Sequence, residues 1–147
     1  MALEEKINAD IKTAMLAREA IKLEALRAIK SAIILLKTSS EGYSDESEQK
    51  ALLKMVKQRK ETADVYTTQN RPELAEIELA QAAIIEAYLP KQMSQDEIKS
   101  ALVNIITTCG ASSPADMGKV MGLASKQLAG KADGKLISTI VKELLNN

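Results

Sequence analysis

The sequence predicts an all-α protein, with about four helices bundled over residues 1–90 and a compact three-helix unit over 91–147. Three observations carry that prediction. Apolar residues recur every three to four positions along most of the chain, the period of a helix with one buried face. Ala, Leu, Ile and Met supply the core, with no Phe, no Trp and only three Tyr, and helices accept all four of those types. Three Pro and six Gly leave few turns for a β fold. No segment alternates with period two for long enough to be a strand.

Taken in order, Leu3, Ile7, Ile11, Ala14 and Met15 form a first stripe, and Leu26, Ile29, Ile33 and Leu36 a second. No Gly or Pro separates them. The residues alone permit one helix from about 2 to 38, with Arg18-Glu19-Ala20 its only plausible break. Ser39 to Tyr43 reads as a loop. Ser44 is a good N-cap, because its hydroxyl can accept a free backbone N–H, and Asp45 and Glu46 suit the first turn's dipole. Leu52, Met55, Val56, Ala63 and Tyr66 give the third helix its buried side. Asn70-Arg71-Pro72 marks a turn, with Pro72 acceptable in a first helical turn. Leu74, Ile77, Ala80, Ile84 and Tyr88 form the fourth stripe, which Pro90 ends by disfavouring a helical Leu89.

Leu89-Pro90-Lys91-Gln92 is the predicted boundary between the two units. Ser94 and Glu97 then make an S-x-x-E capping box, with Met93 and Ile98 placed to close a hydrophobic staple. Ile98, Ala101, Leu102 and Ile105 line the fifth helix, which stops near Cys109-Gly110. Ser113-Pro114-Ala115-Asp116 opens the sixth, whose core face is Met117, Val120, Met121, Ala124 and Leu128. Residues 130–134 make a turn, and the seventh helix carries Ile137, Ile140, Val141 and Leu144.

A chain of 147 residues can bury about 68–70% of its unfolded surface without disulfides or metals. Twenty basic and twenty acidic residues cancel. That balance removes the whole-chain electrostatic argument for nucleic acid or membrane binding. The charge is uneven along the chain, however. Residues 1–90 hold 13 basic and 15 acidic side chains, whereas 91–147 hold 7 and 5. A single cysteine, Cys109, permits no internal disulfide and fits a reducing compartment. The charged N-terminus lacks an apolar run and is not a secretory signal, and no stretch is long enough to span a bilayer. A cytoplasmic location, with no membrane partner, is the expectation.

Catalytic chemistry finds little support. The chain has no histidine, so the commonest general base and metal ligand is absent. Cys109 has no histidine to activate it and reads as a small core residue. No zinc-binding Cys/His cluster exists, and neither phosphate-cradling glycine motif occurs. No catalytic residue, metal or cofactor is therefore expected.

Three features suit binding. On a helical wheel, Gly118, Gly122 and Ser125 fall together beside the core face of the sixth helix, while Lys119 and Lys126 stack elsewhere at i and i+7. Glycine costs about 1 kcal/mol relative to alanine inside a helix, so two of them need a reason. One reason is close packing of the seventh helix, and the other is a bare backbone surface for another molecule. Lys131, Gly134 and Lys135 surround the start of the seventh helix, where a phosphate can be held. Asp133 is equally well placed as a simple N-cap that repels anions. Lys54, Lys57, Arg59 and Lys60 form a basic run on the third helix, diluted by Glu61 and Asp64. A solvated face explains that run. Lys57, Arg59 and Lys60 remain a secondary candidate.

The run from Asp116 to Gly122, then Gly130 to Lys135, then Ile140 to Leu144, resembles the C-terminal signature of the YqeY-like family. That family shares this tail with GatB, the B subunit of the Asp/Glu-tRNA amidotransferase. Lys57 to Lys60, Tyr66, Arg71, Leu74, Glu78 and Tyr88 to Gln92 resemble the family's N-terminal region. The resemblance covers nearly the whole chain. It implies a helical bundle joined to a three-helix GatB/YqeY-type unit, with the first long stripe broken in two. Ala17 to Ala20 lacks a strong breaker there, which is a departure from that expectation. In GatB the related tail helps to grip tRNA. The resemblance therefore nominates Gly118, Lys119, Gly122, Lys131, Gly134 and Lys135 for RNA contact, beside Lys126. It implies a tRNA-binding or amidotransferase-associated module whose partner is tRNA or a tRNA-handling protein. An adaptor between proteins is the alternative, since the aromatic residues that stack on single-stranded RNA are scarce. A part in glutamine-dependent amidotransfer, a carbon–nitrogen ligase activity, is the second alternative. It lacks a glutaminase nucleophile and a nucleotide cradle in this chain.

Overall fold

In the computed structural model, which describes residues 2–146, the long N-terminal stripe is two helices, α1 (Ala2–Ala17) and α2 (Ala20–Thr38). Arg18 makes the break, in the left-handed region at φ 57°. Two backbone bonds close it: Arg18 N–H to the Met15 carbonyl at 3.2 Å and Glu19 N–H to the Ala14 carbonyl at 3.0 Å. That pairing is the Schellman ending, which glycine normally supplies. The residues offer no glycine there, yet the break falls within Arg18-Glu19-Ala20, the one plausible site in the stripe. The break lets α1 fold back on α2, so that Ile7 and Ala14 are buried with Leu26, Ile29 and Ile33. Met15 does not join them and is 53% exposed.

Ser44 caps α3 (Asp45–Thr68), accepting from the Ser47 N–H at 3.0 Å while Ser47 Oγ accepts from the Ser44 N–H at 2.9 Å. Asn70, left-handed at φ 59°, turns the chain into α4 (Pro72–Glu86) with Pro72 in the first turn. The buried stripe of α4 is a correction. Ala75, Gln81, Ala82 and Ile85 are buried, whereas Ile77 is 37% exposed and Ala80, Ile84 and Tyr88 are half-buried. Apolar residues stand on every side of this helix, so their spacing does not fix its rotation. Packing against both α2 and α3 does. The helix also ends at Glu86, ahead of Pro90, with Ala87 and Tyr88 in a turn.

Polar contacts set the register of these helices. Tyr88 on the turn after α4 donates its hydroxyl to the Asp10 carboxylate on α1, and Lys6 Nζ lies 5.2 Å from the Tyr88 ring centre. Lys37 of α2 pairs with Glu4 of α1. Arg59 Nε donates to the buried Gln81 Oε1 at 3.1 Å, and Lys60 pairs with Glu86 at 2.8 Å. Glu48 Oε2 is buried without a hydrogen-bond partner, and its desolvation pushes the carboxyl above the usual range.

The chain divides into two compact units, one ending at Pro90 and the other beginning at Lys91. The second unit holds α5 (Gln95–Cys109), a short 3-10 turn (Pro114–Asp116), α6 (Met117–Gln127) and α7 (Gly134–Leu145). Ser94 and Glu97 form the capping box of α5. Gly110, at φ 73°, ends it. The Ser113-Pro114 segment opens a 3-10 turn that leads into α6, rather than α6 itself. Ile98, Leu102, Val120, Ala124 and Val141 are fully buried at the centre of this unit. Among the described residues there is no strand.

Two outcomes follow from the first unit. Arg18→Gly removes a left-handed strain of about 1–2 kcal/mol and restores about 0.4–1 kcal/mol of unfolded-state entropy. Urea unfolding should therefore show a net gain of about 0.5–1 kcal/mol, and Arg18→Val a loss. A Gly variant no more stable than the parent would show that the strain does not exceed the entropy that glycine restores. The Tyr88 hydroxyl is raised above its ordinary value of 10.0 by burial first and by its bond to Asp10 second. Its contribution is complete below pH 10 and is lost as pH rises from there toward the folded value. Tyr88→Phe should cost about 1–2 kcal/mol at pH 8, and melts from pH 8 to 11 should show a shallower alkaline decline than the parent.

Candidate functional site

The residues nominated by sequence lie mostly in the second unit, on α6 and on the turn that joins it to α7. Val120 and Ala124 point α6 into the core, with Met117 and Met121 half-buried beside them. That rotation leaves Gly118 and Gly122 exposed. A Cβ built at either one meets nothing within 4 Å. Packing of the seventh helix is therefore not what these glycines serve, and the helix backbone there is bare. Ser125, on the same side, is half-buried.

Lys119 and Lys126 are exposed. The Lys119 ammonium donates to the Cys109 carbonyl at 3.0 Å, satisfying an acceptor that the end of α5 leaves open. An ammonium has three donors, so this bond still leaves capacity for an anion. Cys109 is half-buried against the core, its Sγ 3.7 Å from the Ile106 carbonyl, as its reading as a small core residue expects. Asp116 ends the 3-10 turn just ahead of α6 and accepts from the backbone N–H groups of Ser112 at 2.9 Å and Ser113 at 3.3 Å. Those two bonds, with the Lys119 charge adding to them, hold its carboxyl below the usual range.

The turn after α6 is fixed at several points. Gly130 is buried and left-handed at φ 73°. The Lys131 N–H donates to the Leu128 carbonyl at 3.0 Å. Ala132 is buried in the core. Asp133 caps α7, its Oδ1 accepting from the Lys135 N–H at 3.4 Å. The capping role foreseen for Asp133 is thus occupied. Lys131, Gly134 and Lys135 are all exposed, and a Cβ at Gly134 also meets open space.

One participant had no role assigned from sequence. Gln92 Nε2 donates to the Gly130 carbonyl at 2.6 Å, and the next residue, Met93, donates its N–H to the Lys131 carbonyl at 2.9 Å. Its signals were its place in the predicted boundary and in the run from Tyr88 that carries the family resemblance, neither of which names a contact. Its partner lies 38 residues away, beyond the reach of any periodicity.

The secondary basic face is differently placed. Arg59 and Lys60 are engaged with Gln81 and Glu86 of α4 and so fasten helices in the first unit. Lys57 is exposed. Among the described residues no group of acidic or sulfur side chains could hold a metal ion, and no helix is long and apolar enough to cross a membrane.

A family model described as Yqey-like protein matches residues 4–145. The protein named Altered inheritance of mitochondria protein 41, mitochondrial, from Clavispora lusitaniae is 31% identical over 129 residues, covering 86% of this chain and 74% of that protein. The protein of the same name from Meyerozyma guilliermondii is 38% identical over 80 residues, 54% of this chain and 42% of that one. The matched stretch thus spans less than half of the second relative's length. With a family match across all but the chain ends and a helical fold to carry it, this chain belongs to the Yqey-like family.

Proposed function

We propose that this protein is a non-catalytic tRNA-binding module, associated with tRNA-handling enzymes, that grips RNA through α6 and the turn before α7. The observation that carries the reading is the bare glycine face of α6, flanked by exposed lysines. Alanine at Gly118 and Gly122 would stabilise the helix by about 1 kcal/mol each, and nothing packs against either position. Retaining glycine there costs stability with no return in the fold. A backbone that another molecule approaches closely supplies the return. Lys126, Lys131 and Lys135 stand exposed in the same unit, with Lys119 at the start of α6, and ammonium groups are point-charge partners for phosphate. The second unit's excess of basic over acidic residues is in the same direction.

The compartment we infer is a reducing one: the cytoplasm, or an organelle interior of the kind that the names of the fungal relatives indicate. A protein adaptor is the second reading, favoured by the shortage of stacking aromatics.

Polarisation titrations of labelled total tRNA against the full chain test the proposal. The double variant Lys126→Ala/Lys131→Ala should weaken binding and reduce the dependence of log K on log salt by roughly 0.7–0.9 per lost phosphate contact. Gly118→Ala/Gly122→Ala should melt higher than the parent yet bind more weakly. If both double variants bind as the parent does, these residues are not the RNA surface. If the parent binds no tRNA at low salt, the adaptor reading takes over.

A further inference from the structure

The segment entering the second unit does more than connect. Leu89 is buried in the first core, and three residues later Gln92 is bonded within the second unit. The Gln92 side chain and the Met93 backbone make consecutive bonds to consecutive carbonyls, those of Gly130 and Lys131, at 2.6 and 2.9 Å. The Gly130–Asp133 turn belongs to neither α6 nor α7. It therefore lacks helical hydrogen bonds that would otherwise fix it, and a carbonyl turned inward at half-buried depth needs a donor. Gln92 gives Gly130 that donor.

We propose that Gln92 is a positioning residue for the RNA surface, holding the α6–α7 turn so that the Lys131 ammonium is presented in one place. The inference rests on the RNA reading given above and adds a residue to it. Lys131 is held through its own backbone on both sides, with its N–H on Leu128 and its carbonyl on Met93, and Gln92 secures the residue before it. A fixed turn spares the ligand the entropy of ordering a long side chain and its backbone at once. Loosening the turn leaves the lysine charge in place but spreads it over many positions, so the contact is lost without any charge being removed.

The test compares Gln92→Met, which keeps the length of the side chain and removes the donor, with Lys131→Ala and the double variant. All are full chains, and circular dichroism melts check that each is folded. Total tRNA is titrated across a potassium chloride series. Gln92→Met should weaken binding about 3–10-fold at low salt and lower the log–log slope by the worth of one phosphate, roughly 0.7–0.9. Lys131→Ala should do the same. The double variant should bind no more weakly than Lys131→Ala, because the two changes remove one contact. Independent, additive losses overturn the proposal. So does a Gln92→Met protein with unchanged affinity and slope beside a weakened Lys131→Ala. Amide exchange in the RNA-free protein gives a second measure: exchange across 129–133 should quicken in Gln92→Met, and unchanged exchange overturns the proposal whatever the titrations show. No tRNA binding by the parent sinks the RNA reading and the ligand half of this inference, while the exchange data still decide whether Gln92 holds the turn.

Discussion

A chain without phenylalanine or tryptophan must fill the centres of its cores with aliphatic side chains, and the rest of this structure depends on how it does so. Each helix contributes a narrow stripe of Ile, Leu or Val, and alanines fill the contacts between the stripes. Ala14, Ala25, Ala63, Ala75, Ala82, Ala124 and Ala132 are all at most 7% exposed. Small residues let helix axes approach, which keeps interiors at the density that dispersion and burial require. Aliphatic packing of this kind is non-directional. It says that a stripe must be buried, but leaves the partner and the rotation open to whatever else constrains them.

Polar pairs supply much of that constraint. The Tyr88–Asp10 bond joins the turn after α4 to α1, 78 residues away in sequence, and the Arg59–Gln81 bond satisfies a glutamine that is only 5% exposed. Breaking the first leaves a half-buried polar group unpaired and breaking the second a buried one, which costs more than the bond itself contributes. Exposed pairs such as Lys60–Glu86 contribute little energy. Their value is in opposing a slipped register between α3 and α4.

The second unit shows the opposite economy. Its core is as well buried as the first, yet the outward side of α6 gives up helix stability at two glycines and presents charge instead. In a three-helix unit of this size such a concession weighs heavily, because small cores have little stability to spare. The turn before α7 is by contrast over-secured for a surface loop, tied to the entering segment, the core and the α7 cap together. An exposed glycine face beside a fixed turn is the arrangement on which the proposed recognition surface rests.

The sequence by itself determined the helical class and most of the helix ends. Those are local properties: an i, i+4 period, the Ser44 and Ser94 caps, the Pro72 start and the Gly110 stop each act within one or two turns. The family resemblance, carried by the runs around Gly118 and Gly134, was equally legible. Three things were decided only in three dimensions. The residues marked Arg18 to Ala20 as a permitted break without requiring one; the chain breaks there, on a residue that does not favour it, because burying α1 against α2 outweighs the left-handed strain. The rotation of α4 was open because both of its sides are apolar, and contact with α2 and α3 chose between them. The bond of Gln92 to Gly130, and the open space around Gly118 and Gly122, depend on which atoms lie nearby after folding, and partners so far apart along the chain leave no periodic trace in it.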